Sequence, residues 1–355
     1  MKVLVTGDTG YIGSVMVPML VEEGFDVVGV DADLFEDCIF MPPQRPARHM
    51  RAHVGDLTQR DLEGFDAVFH LAALSNDPLG DLNPNLTYEL NHAATVHLAM
   101  VAKQAGVGRF LFSSSCSLYG ASGDGAVTEE APFAPITPYA RSKAMVEWSL
   151  SAMADRDFSP VFLRNATAYG LSPRLRFDLV LNNLTAWAVA KGRVLIKSDG
   201  TPWRPIVHIE DITRAFIAAA RAPRERVHNE AFNIGRDEEN YQIRDIADMV
   251  EQVVPDCVIE YAPGGEPDKR SYSVSFAKVR RQLPEFQPQW TARRGVEQLY
   301  EAYRQVGVSV EDFEGPRFRR IDTLKRLIAE GRLDASLRWT SPARERGPVE
   351  VAAAG

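Results

Sequence analysis

Short runs rich in β-branched and aromatic residues recur along the first half of the chain, at residues 3–6, 27–31, 67–71, 110–113 and 161–163. Stretches of helical length and period separate them. That alternation predicts successive βαβ units and hence a parallel, doubly wound α/β sheet. In the second half, helical periodicity at 178–190, 212–222, 243–254 and 293–303 is interrupted by loops containing Pro and Gly. It predicts a smaller, mostly helical region over the edge of the sheet. From 311 to 339, Arg mixes with Leu and Ile at helical spacing (Ile321, Leu324, Leu327, Ile328), which predicts an appended helical arm. Residues 341–355 carry no core-forming period and are expected to fray as a tail. No internal repeat is visible.

With 355 residues, 45% hydrophobic and 25% charged, the chain can fill one large core or two joined ones and has no bias toward disorder. The 48 Asp and Glu against 40 Lys and Arg leave a net charge of -8, so no global basic field draws it to nucleic acid or an anionic membrane. Any phosphate it binds must be met locally. Three cysteines, Cys38, Cys116 and Cys257, are odd in number and share no metal-ligand spacing, so no metal site is expected and a reducing compartment, the cytoplasm, is. The N-terminus shows no leader pattern and no apolar run approaches about 18 residues, so neither secretion nor membrane spanning is expected.

Directly after the first predicted strand come Gly7, Gly10 and Gly13, followed by an apolar helical stretch at 15–21. Glycines here allow a tight turn, close approach of backbone to a pyrophosphate and close packing of helix on strand, while the helix N-terminal amides face the phosphate. The next predicted strand ends at Asp31, where a carboxylate would accept hydrogen bonds from an adenosine ribose and repel a 2′-phosphate. The pattern predicts a Rossmann-type dinucleotide site and favours NAD over NADP.

The Gly-x-x-Gly-x-x-Gly spacing resembles the short-chain dehydrogenase/reductase superfamily, and the length resembles its extended branch, which acts mostly on nucleotide sugars. The likeness to the nucleotide-sugar epimerase/dehydratase family, UDP-glucose 4-epimerase-like enzymes included, can be followed along roughly residues 1–310. It implies that Tyr11 and Ile12 of the glycine loop meet the cofactor, that Asp56 and Leu57 flank the adenine, that Leu71, Ala72 and Ala73 line the cofactor after the fourth strand, and that Asn91 lies beside it. On this reading residues 1–165 form the NAD-binding domain, to which segments near 205–235 return. Residues 166–310 bind the nucleotide sugar and 311–340 form the arm.

Tyr139 and Lys143 follow a Pro-Ile-Thr-Pro stretch, so a helix is expected to begin near Pro138 and to present the pair one turn apart on one face. A phenol is a poor base at neutral pH, but a neighbouring ammonium favours its phenolate and brings it toward working range. Upstream, Ser113, Ser114 and Ser115 crowd the C-terminal end of a parallel strand, where ligands of such sheets bind. The resemblance assigns to Ser115 the hydrogen bond to the reacting sugar oxygen and leaves Ser113 and Ser114 structural. Lys143 would also hold the nicotinamide ribose.

On the substrate side, Thr167 stands where the resembled family usually carries an asparagine that contacts the sugar. Asn183, rather than Asn182, is the implied contact to the diphosphate, and Arg204 and Arg270 are the implied guanidinium partners of the phosphates. His208, between apolar residues, reads as structural rather than as a base. The family supports several reactions on one scaffold. Dehydratases of the group carry an Asp-Glu pair directly after the Ser/Thr, where this chain has Cys116 and Ser117, so a 4,6-dehydratase is disfavoured. A decarboxylase needs a cation for a substrate carboxylate, with Arg141 and Arg174 as conceivable sources. An epimerase acting at C4 through a transient 4-keto sugar, with Tyr139 as acid and base, needs only the residues present. A ketoreductase or dehydrogenase needs the same residues but exchanges its cofactor each turn. A non-catalytic nucleotide sensor would tend to lack Tyr139 or Lys143. The resemblance further implies a homodimer, formed through helices near 91–105 and 139–154.

Overall fold

A computed structural model describes residues 1–42, 48–75, 83–121, 125–262 and 271–340. Its centre is a seven-stranded sheet: β1 (Lys2–Thr6), β2 (Asp26–Asp31), β3 (His49–Arg51), β4 (Ala67–His70), β5 (Arg109–Ser115), β6 (Ser159–Asn165) and β7 (Glu230–Ile234). The spatial order is β3-β2-β1-β4-β5-β6-β7 and every pairing is parallel. Five of these strands coincide with the runs read from sequence. The two that do not are β3, three polar or mixed residues, and β7, a short edge strand whose register sets Ile234 against Asn165.

The strands are apolar without alternation because both faces of the sheet are covered. Val3 and Val5 point into one core with Phe69, Leu111, Val161 and Leu163, while Leu4 points into the other with Val28, Val30, Val68, Phe110 and Phe162. Helices α1 (Gly13–Glu22) and α5 (Ile209–Arg221) pack together over the first face, and α2 (Ala94–Gln104) and α3 (Pro138–Met153) cover the second. α3 starts where expected, with Pro138 as its first residue and the Thr137 hydroxyl accepting from the Ala140 amide.

Beyond β6 the chain is helical at α4 (Val180–Lys191), α6 (Ile243–Val253) and α7 (Ala292–Val306), but it also builds small sheets. The strand Trp203–His208 pairs in parallel with Thr167–Tyr169 and antiparallel with Asn240–Gln242. The arm holds α8 (Val310–Glu314) and α9 (Arg320–Ala329) and ends in a bridge between Leu333 and Trp339. Phe313 and Phe318 pack on Phe177, and leucines 324, 327, 333 and 337 pack on Leu34 and Leu74 of the nucleotide-binding half. Among the described residues no helix is long and apolar enough to cross a membrane.

One buried ion pair fastens α3 to the sheet. The Arg164 guanidinium of β6 donates to both oxygens of Glu147, one turn beyond Lys143 on α3, at 2.7 to 3.2 Å, and the Ser114 hydroxyl donates to the same carboxylate at 2.5 Å. Arg164 also donates to Tyr119 Oη and the Glu129 carbonyl, and Tyr119 donates to Asn233. Removing one partner of such a pair strands a buried charge. Arg164→Met is therefore expected to lower the free energy of unfolding by about 3–5 kcal/mol, read by urea denaturation; a loss below about 1 kcal/mol would show that Glu147 is satisfied without it.

Candidate functional site

Strand order reverses at β1, with β2 on one side and β4 on the other, so a crevice opens at the carboxyl ends of β1 and β4. Its floor is the turn between β1 and α1. Gly7 has φ +75° and donates to the Val30 carbonyl at 2.7 Å; a Cβ there would sit 2.8 Å from the Ala72 amide nitrogen. A Cβ on Gly13 would lie 2.1 Å from the Gly7 carbonyl oxygen, so only glycine lets α1 start this close to the strand. No side chain caps α1; the Ser14 and Val15 amides bond the Gly10 and Ile12 carbonyls, and residues 10–13, which open the helix, line the cleft. Gly7, Gly10, Tyr11, Ile12, Gly13, Leu71, Ala72 and Ala73 all line that cleft, which encloses about 1080 Å³. The cradle fits a pyrophosphate.

At the end of β2, Asp31 also lines the cleft. Burial, with the carboxylates of Asp8 and Asp33 nearby, pushes its carboxyl up to about 6. His49 of β3 bridges Asp8 Oδ2 at 2.8 Å and Asp33 Oδ2 at 3.2 Å, and these contacts hold the imidazole protonated, up at about 10, against the opposing effect of burial. Sequence reading missed Asp8, Asp33 and His49: none stands in a recognisable spacing, and His49 is brought in by a strand with no apolar pattern. A carboxylate facing a cleft beside the glycine cradle suits an adenosine ribose, so the residues present fit NAD.

Three other expected contacts take different places. Asp56 and Leu57 do not line the cleft: Arg338 of the arm grips Asp56 through two bonds of 2.6 and 2.9 Å, and Leu57 is buried in the second core. Ala52, His53 and Val54, just before them, face the cleft instead. Asn91 is buried away from it in a π-helical turn, where its amide bonds both Leu74 backbone groups and Ser142, tying the cleft wall to α3.

Tyr139 and Lys143 face the cleft from α3, with the Lys143 ammonium 5.6 Å from the centre of the Tyr139 ring. Lys143 is buried, donates to the Ser113 carbonyl at 2.7 Å and lies 4.5 Å over the Phe112 ring. Burial brings its ammonium down to about 7, and Glu147 opposes that shift. Ser115 ends β5 and faces the cleft; its oxygen accepts from the Ser117 amide at 3.1 Å. Ser113 accepts from Asn165 and Ser114 donates to Glu147, so both are held within the framework. Cys116 is fully buried against the Arg164 carbonyl, and burial drives its thiol up.

Thr167, Asn183 and Arg204 line the far part of the cleft. Asn183 donates to the Phe177 carbonyl, whereas Asn182 is buried and spent on Gly170, Tyr11 and Arg176. Arg270 lies outside the described residues. His208 stacks on Trp290 at 3.9 Å, contacts Gln298 and is held neutral, down at about 4, by burial. The cleft also contains groups without a sequence motif: Arg176, paired with Asp178 at 2.7 Å, and Arg320 from the arm.

A family model described as the NAD dependent epimerase/dehydratase family matches residues 3–235. UDP-glucose 4-epimerase 4 of Oryza sativa subsp. japonica is 30% identical over 333 residues, covering 84% of this chain and 87% of its own. Among solved structures, MoeE5 in complex with UDP-glucuronic acid and NAD superposes with a TM-score of 0.74 at 29% identity, over 86% of this chain and 99% of that one. The UDP-glucuronic acid 4-epimerase of Bacillus cereus in complex with UDP-glucuronic acid and NAD gives 0.71 at 27%, over 86% and 100%. Fold, glycine cradle and matched sequence agree: the chain belongs to the NAD-dependent epimerase/dehydratase family of enzymes.

Proposed function

We propose that the protein is a nucleotide-sugar epimerase that inverts C4 of a nucleoside-diphosphate sugar, a UDP-sugar as in its relatives, through a transient 4-keto sugar. The reading is carried by one observation: Tyr139, Lys143 and Ser115 line the same cleft as the glycine cradle, and neither position after Ser115 holds an acid. Cys116 and Ser117 cannot manage the proton shifts of water loss, so dehydration has no acid and base here. NAD, when bound, supplies a reversible acceptor for the hydride of the sugar carbon.

The protein's own residues handle the proton and the geometry. The Tyr139 phenolate takes the proton of the C4 hydroxyl, and the Lys143 ammonium keeps that phenol acidic enough to do so. Lys143 is pinned to the Ser113 carbonyl, so its charge stays beside the ring. The Ser115 hydroxyl donates to the same sugar oxygen and fixes its distance from Tyr139. Arg204, Asn183 and Arg270 hold the diphosphate, leaving the sugar free to turn over its other face before Tyr139 returns the proton. Thr167 borders the sugar in place of the usual asparagine. Asp31 accepts from the adenosine ribose, and Lys143 from its other side reaches the nicotinamide ribose. The outer faces of α2 and α3, where Met100 and Trp148 are exposed, are the surface we assign to a homodimer.

Mass spectrometry of the small molecules released on denaturing the purified, desalted protein tests the reading. Near-stoichiometric NAD is expected, as is interconversion of UDP-glucose and UDP-galactose, or of their uronate pair, without added cofactor; empty protein that turns over only with supplied NAD or NADP would point to a ketoreductase or dehydrogenase. Tyr139→Phe should cut kcat by at least about a hundredfold while NAD content is unchanged, and an active variant would remove Tyr139 from the chemistry. Ribose hydroxyls donate to an ionised carboxylate, and the Asp31 carboxyl sits up at about 6 among Asp8, Asp33 and protonated His49. NAD affinity, measured by calorimetry, should therefore be level above about pH 7 and weaken as pH falls through 6, by up to about tenfold per unit, with a shallower dependence in Asp31→Asn.

A further inference from the structure

The arm ends a long way past the family match, yet its first residues reach the cleft. Arg319, Arg320 and Ile321 line it, and they are the start of α9. The Arg319 side chain makes no capping bond, so the amides that open α9 are not spent on a capping side chain. Arg320 itself is only 8% exposed. Its guanidinium stacks on Phe35 at 4.7 Å and makes a single long bond, 3.5 Å, to the Arg174 carbonyl; no carboxylate lies within ion-pair distance of it among the described residues. Arg176, its cationic neighbour, is already committed to Asp178 at 2.7 Å. Burial, together with the Arg176 charge, brings the Arg320 guanidinium down to about 10, against the opposing pull of Asp178 and Asp31 at longer range. A buried cation left in that state needs an anion.

The position of Arg320 says which one. It lines the same cleft as Gly7 and Tyr11 of the glycine loop and Asp31 at the end of β2, and the Phe35 ring it stacks on follows that strand by four residues, so it faces the dinucleotide end of the cleft. Farther along, the arm is fastened over the adenosine end: Arg338 grips Asp56, Trp339 Nε1 donates to the Ala32 carbonyl at 2.7 Å, and the Arg51 guanidinium lies 4.3 Å over the Trp339 ring.

We propose that the segment 320–339 is part of the dinucleotide site: the Arg320 guanidinium and the opening amides of α9 close on the NAD pyrophosphate from the side opposite the glycine cradle, and Arg338 and Trp339 hold them there. Two helix starts and one guanidinium then surround the diphosphate. Asp56 serves as the latch of the arm rather than as an adenine contact. The inference rests on the reading of the protein as an epimerase with resident NAD and explains how the cofactor would be retained between turnovers.

The test measures exchange of bound NAD for isotopically labelled NAD in the full-length holoenzyme, with the Kd for UDP determined by calorimetry on the same preparation. Arg320→Met should speed NAD exchange by about ten- to a hundredfold and leave the UDP Kd within about twofold, the loss expected for a charge-assisted contact. Arg320→Lys, which keeps the charge but not the fork, should fall between. Arg338→Ala, at an exposed latch whose loss leaves no buried group unpaired, should also speed exchange and keeps the test open if the Arg320 variants do not fold. A weakened UDP Kd with NAD exchange unchanged would assign the guanidinium to the sugar nucleotide and overturn the proposal. Slow exchange in the wild type that all the variants leave untouched would overturn it too, while sparing the epimerase reading; fast exchange in the wild type would overturn both.

Discussion

Everything at the site depends on how closely α1 can approach the end of β1. The Gly7 carbonyl, Gly13 and the Ala72 amide share a space in which a single added Cβ on either glycine would fall 2.1 or 2.8 Å from backbone. That contact fixes the angle at which the helix leaves the sheet and so turns its N-terminal end, residues 10–13, toward the crevice. Gly29 shows the same constraint one strand away, where a Cβ would lie 2.0 Å from an Asp8 oxygen. Asp8 of the carboxylate cluster packs directly against the Gly29 backbone, and His49 bridges Asp8 and Asp33.

The end of the cleft that holds Tyr139 and Lys143 is positioned by charge rather than by close backbone. Lys143 can sit buried beside Tyr139 because α3 is clamped to β6 one turn later by Glu147 and Arg164, and because the Ser113 carbonyl receives its ammonium. Asn91 performs the matching task on the other side, fixing the Leu74 backbone and Ser142 together. The residues that line the cleft and those that brace them, Glu147, Arg164 and Asn91, are therefore different sets, and the second set is as buried as any core position.

Much of this was legible along the chain. Five of seven strands announce themselves because a parallel sheet covered on both faces needs unbroken apolar runs, and the glycine spacing and Tyr139 with Lys143 announce themselves because their chemistry depends on local spacing, whereas only family resemblance singles out Ser115. β3 was silent since three residues at an edge bury nothing distinctive, and it carries His49 into the site. Asp56 illustrates the opposite case: its motif was present, but a residue 282 positions later claims its carboxylate.

The sequence by itself determined the doubly wound architecture, the glycine cradle and the placing of Tyr139 and Lys143 one turn apart on one helix, because each is written in contacts within one turn or one strand–helix unit. Only the tertiary structure decided which charges meet. Arg338 with Asp56 and the placing of Arg320 beside Arg176 join segments far apart in the chain, Glu147 with Arg164 joins a helix to the next strand, and a charge contact depends on distance through space and on burial, neither of which leaves a periodic mark in sequence.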